Sequence, residues 1–338
     1  MKQVALQEGL FEGVISFRRG DGWLQPLRIK ADEIPLHTEA FVMRAVMPCG
    51  CRLRFATTSG SVALDVEPDD SEAARKFELT TDDERCGTVD LQSGASEVRF
   101  VGLPAGRKVL ELWLPTLQAV RIRGLAIDDV AELEASPDGR MRWVTYGSSI
   151  THCGAAHSPS RTWPAVAARL RGLNVTSLGY GGQCHMDPLV AMMIRDRAAD
   201  FISLKVGINM VGGSVSQRMF RPLLVGMVKI IREKHPTTPI AVVSPIISPP
   251  REETPGTTGM TLRMMRQELE IAVERLCACG DENVHYVSGL DLFGEDLVAD
   301  YLPDLLHPNG NGYEIMGHNF AEKAIDRMRL KSRMASGM

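Results

Sequence analysis

Several things are scarce in this chain of 338 residues. Cysteine is sparse and odd in number, 7 in all: Cys49, Cys51, Cys86, Cys153, Cys184, Cys277 and Cys279. No apolar run approaches the ~20 residues that a membrane-spanning helix needs. The opening Met-Lys-Gln-Val-Ala-Leu-Gln-Glu-Gly-Leu has no unbroken apolar stretch and no small-residue cleavage site, so no secretory leader is expected. An odd cysteine count without a leader predicts reduced thiols in a cytoplasm. A basic excess is also missing: 38 Lys and Arg face 42 Asp and Glu, a net charge of −4. That balance argues against a nucleic-acid partner. Aromatic residues make up 6%, few for a surface built to stack on sugars, with Trp23 and Trp113 as the candidates; Trp113, between Leu112 and Leu114, reads as core.

Metal and nucleotide signatures are absent as well. The pairs Cys49/Cys51 and Cys277/Cys279 lack the C-x₂₋₄-C spacing and the further Cys or His of a structural zinc site. No H-E-x-x-H occurs. Gly179–Gly182 lacks both the G-x-G-x-x-G order and the Lys-Ser/Thr of a phosphate loop. No metal and no cofactor is expected. What is present is ordinary for a water-soluble globular protein, at 44% hydrophobic and 24% charged, and long enough for one large or two ordinary domains.

The chain changes character near residue 137. Before it, short β-rich runs alternate with Gly- and Pro-bearing turns: Val14–Phe17, Ala40–Met47, Arg52–Thr57, Ser61–Glu67, Val98–Val101, Lys108–Leu114 and Val120–Ile127. Within Ser61–Glu67, Val62, Leu64 and Val66 fall on one face. Period-two alternation with regular turns predicts antiparallel sheets in a sandwich or jelly roll over residues 1–137. From 138 to 338, strands and helices alternate. Strands are expected at Trp143–Tyr146, Val175–Leu178, Phe201–Val206, Ile240–Ser244 and Val284–Val287. Helices are expected at Thr162–Leu170, Asp187–Arg197, Gln217–Glu233, Leu262–Cys277 and Asn311–Arg329. That pattern predicts a parallel sheet with helices on both faces, whose ligands gather beyond the C-terminal strand ends. The turn Ser136-Pro137-Asp138-Gly139 marks the junction.

Chemistry-bearing residues stand at those strand ends. Gly147-Ser148-Ser149-Ile150 follows the first strand, Gly179-Tyr180-Gly181-Gly182 the second and Gly207-Ile208-Asn209-Met210 the third; Asp304-Leu305-Leu306-His307 comes late. A serine hydroxyl is a weak nucleophile until a base takes its proton, and His307 is the candidate base. Asp304, three residues earlier, is placed to fix the imidazole tautomer through a turn. The oxyanion of acyl transfer needs aimed donors, for which the N–H groups of Ser149 and Gly182 and the amide of Asn209 are candidates.

These four blocks in order resemble those of the SGNH hydrolases, the superfamily that contains the GDSL esterases and lipases. The resemblance spans the C-terminal ~200 residues. It implies a flavodoxin-like α/β/α sandwich, Ser149 as nucleophile, His307 as base, Asp304 as its orienter, and Ser149, Gly182 and Asn209 as oxyanion donors. Ser148 stands where the family usually has Asp, and Met210 where it often has Asp; with His185 they are candidate substrate contacts. The preceding β domain is similar to that of a bacterial subgroup that includes carbohydrate esterases and a salicylyl transferase. The resemblance therefore implies an esterase for short acyl esters, of a carbohydrate or another small molecule. An O-acyltransferase with the same acyl-enzyme, or an inactive glycan-binding protein, is the alternative. The sequence leaves room for a homo-oligomer.

Each residue also has a plainer reading. Ser149 alone reads as a helix cap, Asn209 as a turn residue, Gly181-Gly182 as a tight turn, and His307 as an entry to the last helix. His152 and His157 read as surface or packing residues, and Cys153 and Cys184 as walls of the site.

Overall fold

A computed structural model describes residues 1–70, 73–81 and 84–328. The chain forms two compact units: Met1–Gly139 with Ser158–Ser160, and Arg140–His157 with Arg161 onward.

Every strand pairing described in the first unit is antiparallel. One sheet runs in the order Ser16–Gly20, Trp23–Leu27, Ile122–Ile127, Ser61–Val66, Glu97–Val101, with Lys2–Val4 added on Ile122–Ile127. A second runs Leu133–Ala135, Arg52–Thr57, Lys108–Trp113, Arg75–Thr81, Glu84–Leu91, with Phe11–Glu12 on Arg52–Thr57. Val62, Leu64 and Val66 are fully buried, and they share one core with Leu53, Phe55, Leu110 and Leu112 of the other sheet. Two sheets thus bury their inner faces on each other, as a sandwich does. Each such side chain contributes roughly 1.5–3 kcal/mol by leaving water. Trp113 is buried, donates from Nε1 to Thr80 Oγ1 at 3.2 Å and lies under the Arg52 guanidinium, so it packs the core. Trp23 is half-buried against Gly20, with Arg121 stacked 4.7 Å from its ring centre.

The expected strand at Ala40–Met47 is instead a helix, Glu39–Ala45. Thr38 caps it by accepting from the Phe41 N–H, Glu39 occupies its first turn and Arg44 its last. Phe41 and Ala45, four apart, are its buried stripe.

The second unit carries the predicted parallel sheet. Its strands are β1 (Met141–Gly147), β2 (Leu173–Gly179), β3 (Phe201–Lys205), β4 (Ile240–Val243) and β5 (Val284–Val287). Their order is β2-β1-β3-β4-β5, the flavodoxin-like order, which reverses direction beside β1. Strands β2, β3 and β4 are buried at every residue, so both faces must be covered. The covering helices are α1 (Ser149–His152), α2 (Trp163–Arg171), α3 (Pro188–Asp196), α4 (Gln217–Arg232), α5 (Leu262–Ala278) and α6 (Gly310–Phe320). Helices α2 and α6 pack together on one side, where Trp143, Trp163, Phe201 and Phe320 form an aromatic core; Trp143 stacks on Phe320 at 5.2 Å. Helix α4 packs between α3 and α5. The closing helix ends sooner than expected: α6 gives way to a π-helical segment, Ala321–Asp326, and Arg329 lies outside the described residues. Among the described residues no helix is long and apolar enough to cross a membrane.

Candidate active site

The three strands nearest the reversal end level with one another. Gly147 of β1 pairs with Gly179 of β2 on one side and Lys205 of β3 on the other. The loops that follow carry Ser149, Gly182 and Asn209, so sheet register alone brings the three loops side by side.

The chain turns sharply from β1 into α1. Ser148 is the N-cap, and its hydroxyl accepts from the Ile150 N–H at 3.3 Å. Ser149 is the first helical residue, and α1 ends after four residues at Cys153, whose φ is +57°. Two glycines make the turn fit. A Cβ on Gly147 would lie 2.1 Å from Thr151 Oγ1, and one on Gly179 would lie 2.4 Å from the backbone nitrogen of His152. The Tyr180 N–H donates to the Gly147 carbonyl at 2.8 Å and ties the β2 loop to this turn.

Asp304 and His307 precede α6 in a tight turn. Asp304 Oδ1 accepts from the N–H groups of Leu306 (3.0 Å) and His307 (2.6 Å), and Leu305 between them has φ +58°. Asp304 Oδ2 lies 2.7 Å from His307 Nδ1, and His307 Nε2 lies 2.8 Å from Ser149 Oγ. A carboxylate only accepts, so Nδ1 carries the proton, Nε2 is the acceptor and the serine hydroxyl donates. Partial burial raises the Asp304 pKa, but the donors from His307 and Leu306 outweigh it and hold the carboxyl below its ordinary value. The plainer expectation for the His307 segment falls to its neighbour: Asn309 is the N-cap of α6 and accepts from the Gly312 N–H at 3.0 Å.

The three candidate oxyanion donors have a common property. Neither the Ser149 N–H, nor the Gly182 N–H, nor the Asn209 Nδ2 has a hydrogen-bond acceptor among the described residues. Gly182 is exposed with φ +73°, a conformation natural to glycine. Asn209 sits in a 3₁₀ turn, Ile208–Met210, entered through Gly207 at φ +122°; a Cβ on Gly207 would lie 2.8 Å from the Pro245 ring. Such an arrangement can polarise a serine hydroxyl and present donors to a developing negative oxygen.

The remaining sequence candidates separate. Ser148 and Met210 are fully buried, with no surface to offer a ligand; Ser148 caps α1 and Met210 N–H closes its own turn on Gly207. His185 is half-exposed beside the Gly182 loop, but both ring nitrogens are engaged. Nε2 lies 3.1 Å from the Gly182 carbonyl, which can only accept, so Nδ1 receives the Ser214 hydroxyl at 2.8 Å. His152 is buried, and His157 Nε2 meets Asn311 Oδ1 at 2.9 Å. Cys153 and Cys184 are buried thiols, and burial pushes Cys184 up to about 12, so neither has the exposed thiolate of a nucleophile.

Sequence reasoning missed the supports. Cys184 contributes its N–H to Asn209 Oδ1 at 3.0 Å. Ser248 Oγ donates to the Leu305 carbonyl at 2.6 Å and so braces the strained residue beside His307. Arg251 Nη1 donates to Ser248 Oγ at 3.0 Å. No local pattern marks these residues, because their partners lie 25 and 57 positions away for Cys184 and Ser248. No group of three His, Cys, Asp or Glu side chains suited to a metal ion lies among the described residues.

Comparison with known proteins identifies the family and the fold. The model of the GDSL-like lipase/acylhydrolase family matches residues 140–324, and that of the SsfX3 N-terminal domain matches residues 10–123. The salicylyl-acyltransferase SsfX3 from a tetracycline biosynthetic pathway is 34% identical, with a TM-score of 0.89, over 96% of this chain and 97% of its own. A protein from Bacteroides ovatus assigned as a GDSL-like lipase shares the fold at 20% identity and a TM-score of 0.78, over 94% and 95% of the two chains. A family two carbohydrate esterase from Clostridium thermocellum does so at 16% identity and 0.66, over 83% and 93%. No curated protein matches the chain in sequence. On the family match across the second unit and the identity along nearly the whole length, the chain belongs to the GDSL-like lipase/acylhydrolase family.

Proposed function

We propose that the protein is a serine esterase that cleaves short acyl esters through an acyl-enzyme on Ser149. The observation that carries this reading is the unbroken series from Asp304 through His307 to Ser149, together with three donors that have no acceptor among the described residues. Ser149 Oγ bonds to the ester carbonyl carbon as its proton passes to His307 Nε2. The oxyanion is held by the Ser149 and Gly182 N–H groups and the Asn209 amide. The tetrahedral adduct then breaks its bond to the alcohol oxygen, which takes the proton from His307. Water repeats the sequence on the acyl-enzyme, giving its proton to His307, and the acid leaves as Ser149 is restored. Asp304 stays ionised and steadies the imidazolium. The side chains of His307 and Asp304 are 35% and 54% exposed, so water can reach the base, which favours hydrolysis. The resemblance to a subgroup with carbohydrate esterases supports a sugar or other small alcohol as the acylated partner.

A second reading has its own support: a relative 34% identical over nearly the full chain is an acyltransferase. There an alcohol replaces water in the second half of the cycle. An inactive glycan-binding role is disfavoured by a complete triad.

The test is p-nitrophenol release from the acetate, butyrate and octanoate esters by the parent and Ser149→Ala. Steady turnover confined to the parent supports the esterase. A burst without turnover, relieved by an added alcohol, supports the transferase. Equal rates in both proteins remove the Ser149 assignment.

A further inference from the structure

The segment from Ser248 to Arg266 holds three arginines and two glutamates. Arg266 takes Glu252 through two bonds, at 2.6 and 2.8 Å, and Arg263 takes Glu253. Arg251 is left without an acid. The one hydrogen bond of its guanidinium among the described residues is the donation from Nη1 to Ser248 Oγ, and it has no ion pair there. A guanidinium keeps its charge at every accessible pH, and this one is half-buried. One hydrogen bond is a small return for half-burying a charge that no acid neutralises.

Its position explains what it is for. Ser248 Oγ, which Arg251 holds, donates in turn to the Leu305 carbonyl, two residues before His307. One hydroxyl therefore separates the guanidinium from the turn that carries the base. His307 is the group that hands a proton to the departing alcohol, so this turn flanks the alcohol half of an ester. Leu305, in the same turn, is 40% exposed and apolar. The Nε–Nη2 edge of Arg251 has no partner among the described residues, and that edge matches a carboxylate with two parallel bonds. The neighbouring cations are neutralised, so the site offers one positive charge, which suits a carboxylate better than a doubly charged phosphate.

We infer that Arg251 binds a carboxylate on the alcohol portion of the substrate, so the preferred substrates are acyl esters of hydroxy acids. This rests on the reading of Ser149 and His307 as the reacting pair.

The matched probes are 3-acetoxybenzoate and its methyl ester, which differ in the charge of the leaving phenol. The parent is expected to favour the acid in kcat/KM on the order of 10- to 100-fold, the usual worth of a hydrogen bond to a charged group. Arg251→Gln collapses that ratio toward unity, Arg251→Lys retains part of it, and added salt erodes it. A ratio that is the same in parent and Arg251→Gln overturns the inference, including the case where both rates fall together because the Ser248–Leu305 brace has loosened. Calorimetric binding of 3-acetoxybenzoate to Ser149→Ala, with and without Arg251→Gln, decides the same question without turnover. Loss of binding in the double variant upholds Arg251 even where the chemistry assigned to Ser149 fails, and unchanged binding overturns it.

Discussion

The Cys184 N–H donates to Asn209 Oδ1 at 3.0 Å, and this one bond decides which end of the amide is free. A reversed amide would set two donors against each other. The carbonyl oxygen is therefore committed to the loop after β2, and the NH₂ group has no acceptor among the described residues.

Asn209→Ala is expected to lower kcat by ~10²–10³ with little change in KM, as loss of one oxyanion donor does. Asn209→Asp keeps an acceptor for Cys184 but sets a carboxylate where the donor stood, so its kcat falls at least as far. Steady-state kinetics on p-nitrophenyl acetate check both. A change confined to KM would mean that Asn209 only holds substrate.

Gly179→Ala tests the fit on β2 of the turn that carries Ser149. The new methyl would lie 2.4 Å from the His152 nitrogen and 2.5 Å from the Thr151 carbonyl carbon, both backbone atoms that no rotamer change can move aside. The strain is expected to cost about 1–3 kcal/mol in a urea melt. Since α1 is the element displaced, kcat should fall in the surviving folded protein. A variant with parental stability and rate would show that the turn has slack.

The sequence made the second unit legible because its strands are continuous apolar runs, such as Ile240–Val243, separated by longer helical stretches, such as Gln217–Arg232. The first unit was harder where burial defeats the alternating pattern. Arg75 and Glu78 are buried in a strand that the pattern does not announce; Arg75 donates to the carbonyls of Glu67 and Ala95, and Glu78 accepts from the Ser160 N–H. Pro26 hides Trp23–Leu27, yet its missing N–H breaks nothing on the Ile122–Ile127 side, where the ladder runs only through Ile122 and Leu24. At the site, Ser149, Gly182, Asn209, Asp304 and His307 could be named because each sits beside an element end. The bonds that support their loops, from Cys184 to Asn209, from Ser214 to His185 and from Ser248 to Leu305, join residues far apart in sequence and leave no local trace.

Asp304 performs two tasks with separate oxygens: Oδ1 closes the turn on Leu306 and His307, and Oδ2 meets the imidazole. Asp304→Asn can retain the first and loses the second. A fall in kcat of about 10³–10⁴ is expected, since the ring is no longer held in the required tautomer, with the thermal midpoint nearly unchanged for so exposed a residue. The lowered pKa gives a sign for the parent. The unfolded carboxyl, near 3.9, binds its proton first as the pH falls. The stabilising bonds of Asp304 are thus complete above that range and are lost as the pH drops through its lower folded value. Proton titration followed by carbonyl-region NMR, parent against Asp304→Asn, checks the direction. An Asp304 carboxyl that titrates above the ordinary range would contradict the bonding described here.

Lys205 ends β3 and is almost wholly buried, with no hydrogen bond or ion pair to its ammonium among the described residues. Burial, aided by the charge of Arg266 and opposed by Cys184 and Cys153, pulls its pKa from 10.5 to about 8. The folded value lies below the unfolded one, so the unfolded chain holds the extra proton between about 8 and 10.5. Stability from this group therefore rises with pH across that window, and below it the whole cost of burying the charge is present. That cost is about 3 kcal/mol at neutral pH. Lys205→Met keeps most of the side-chain volume and removes the charge, so it should raise stability at pH ~7 by as much as this. The gain should shrink toward pH ~10, where the parent lysine is already neutral in the fold. Urea unfolding of parent and variant across that range decides it: a variant less stable than the parent at neutral pH would mean that the ammonium stabilises the fold through a partner rather than burdening it.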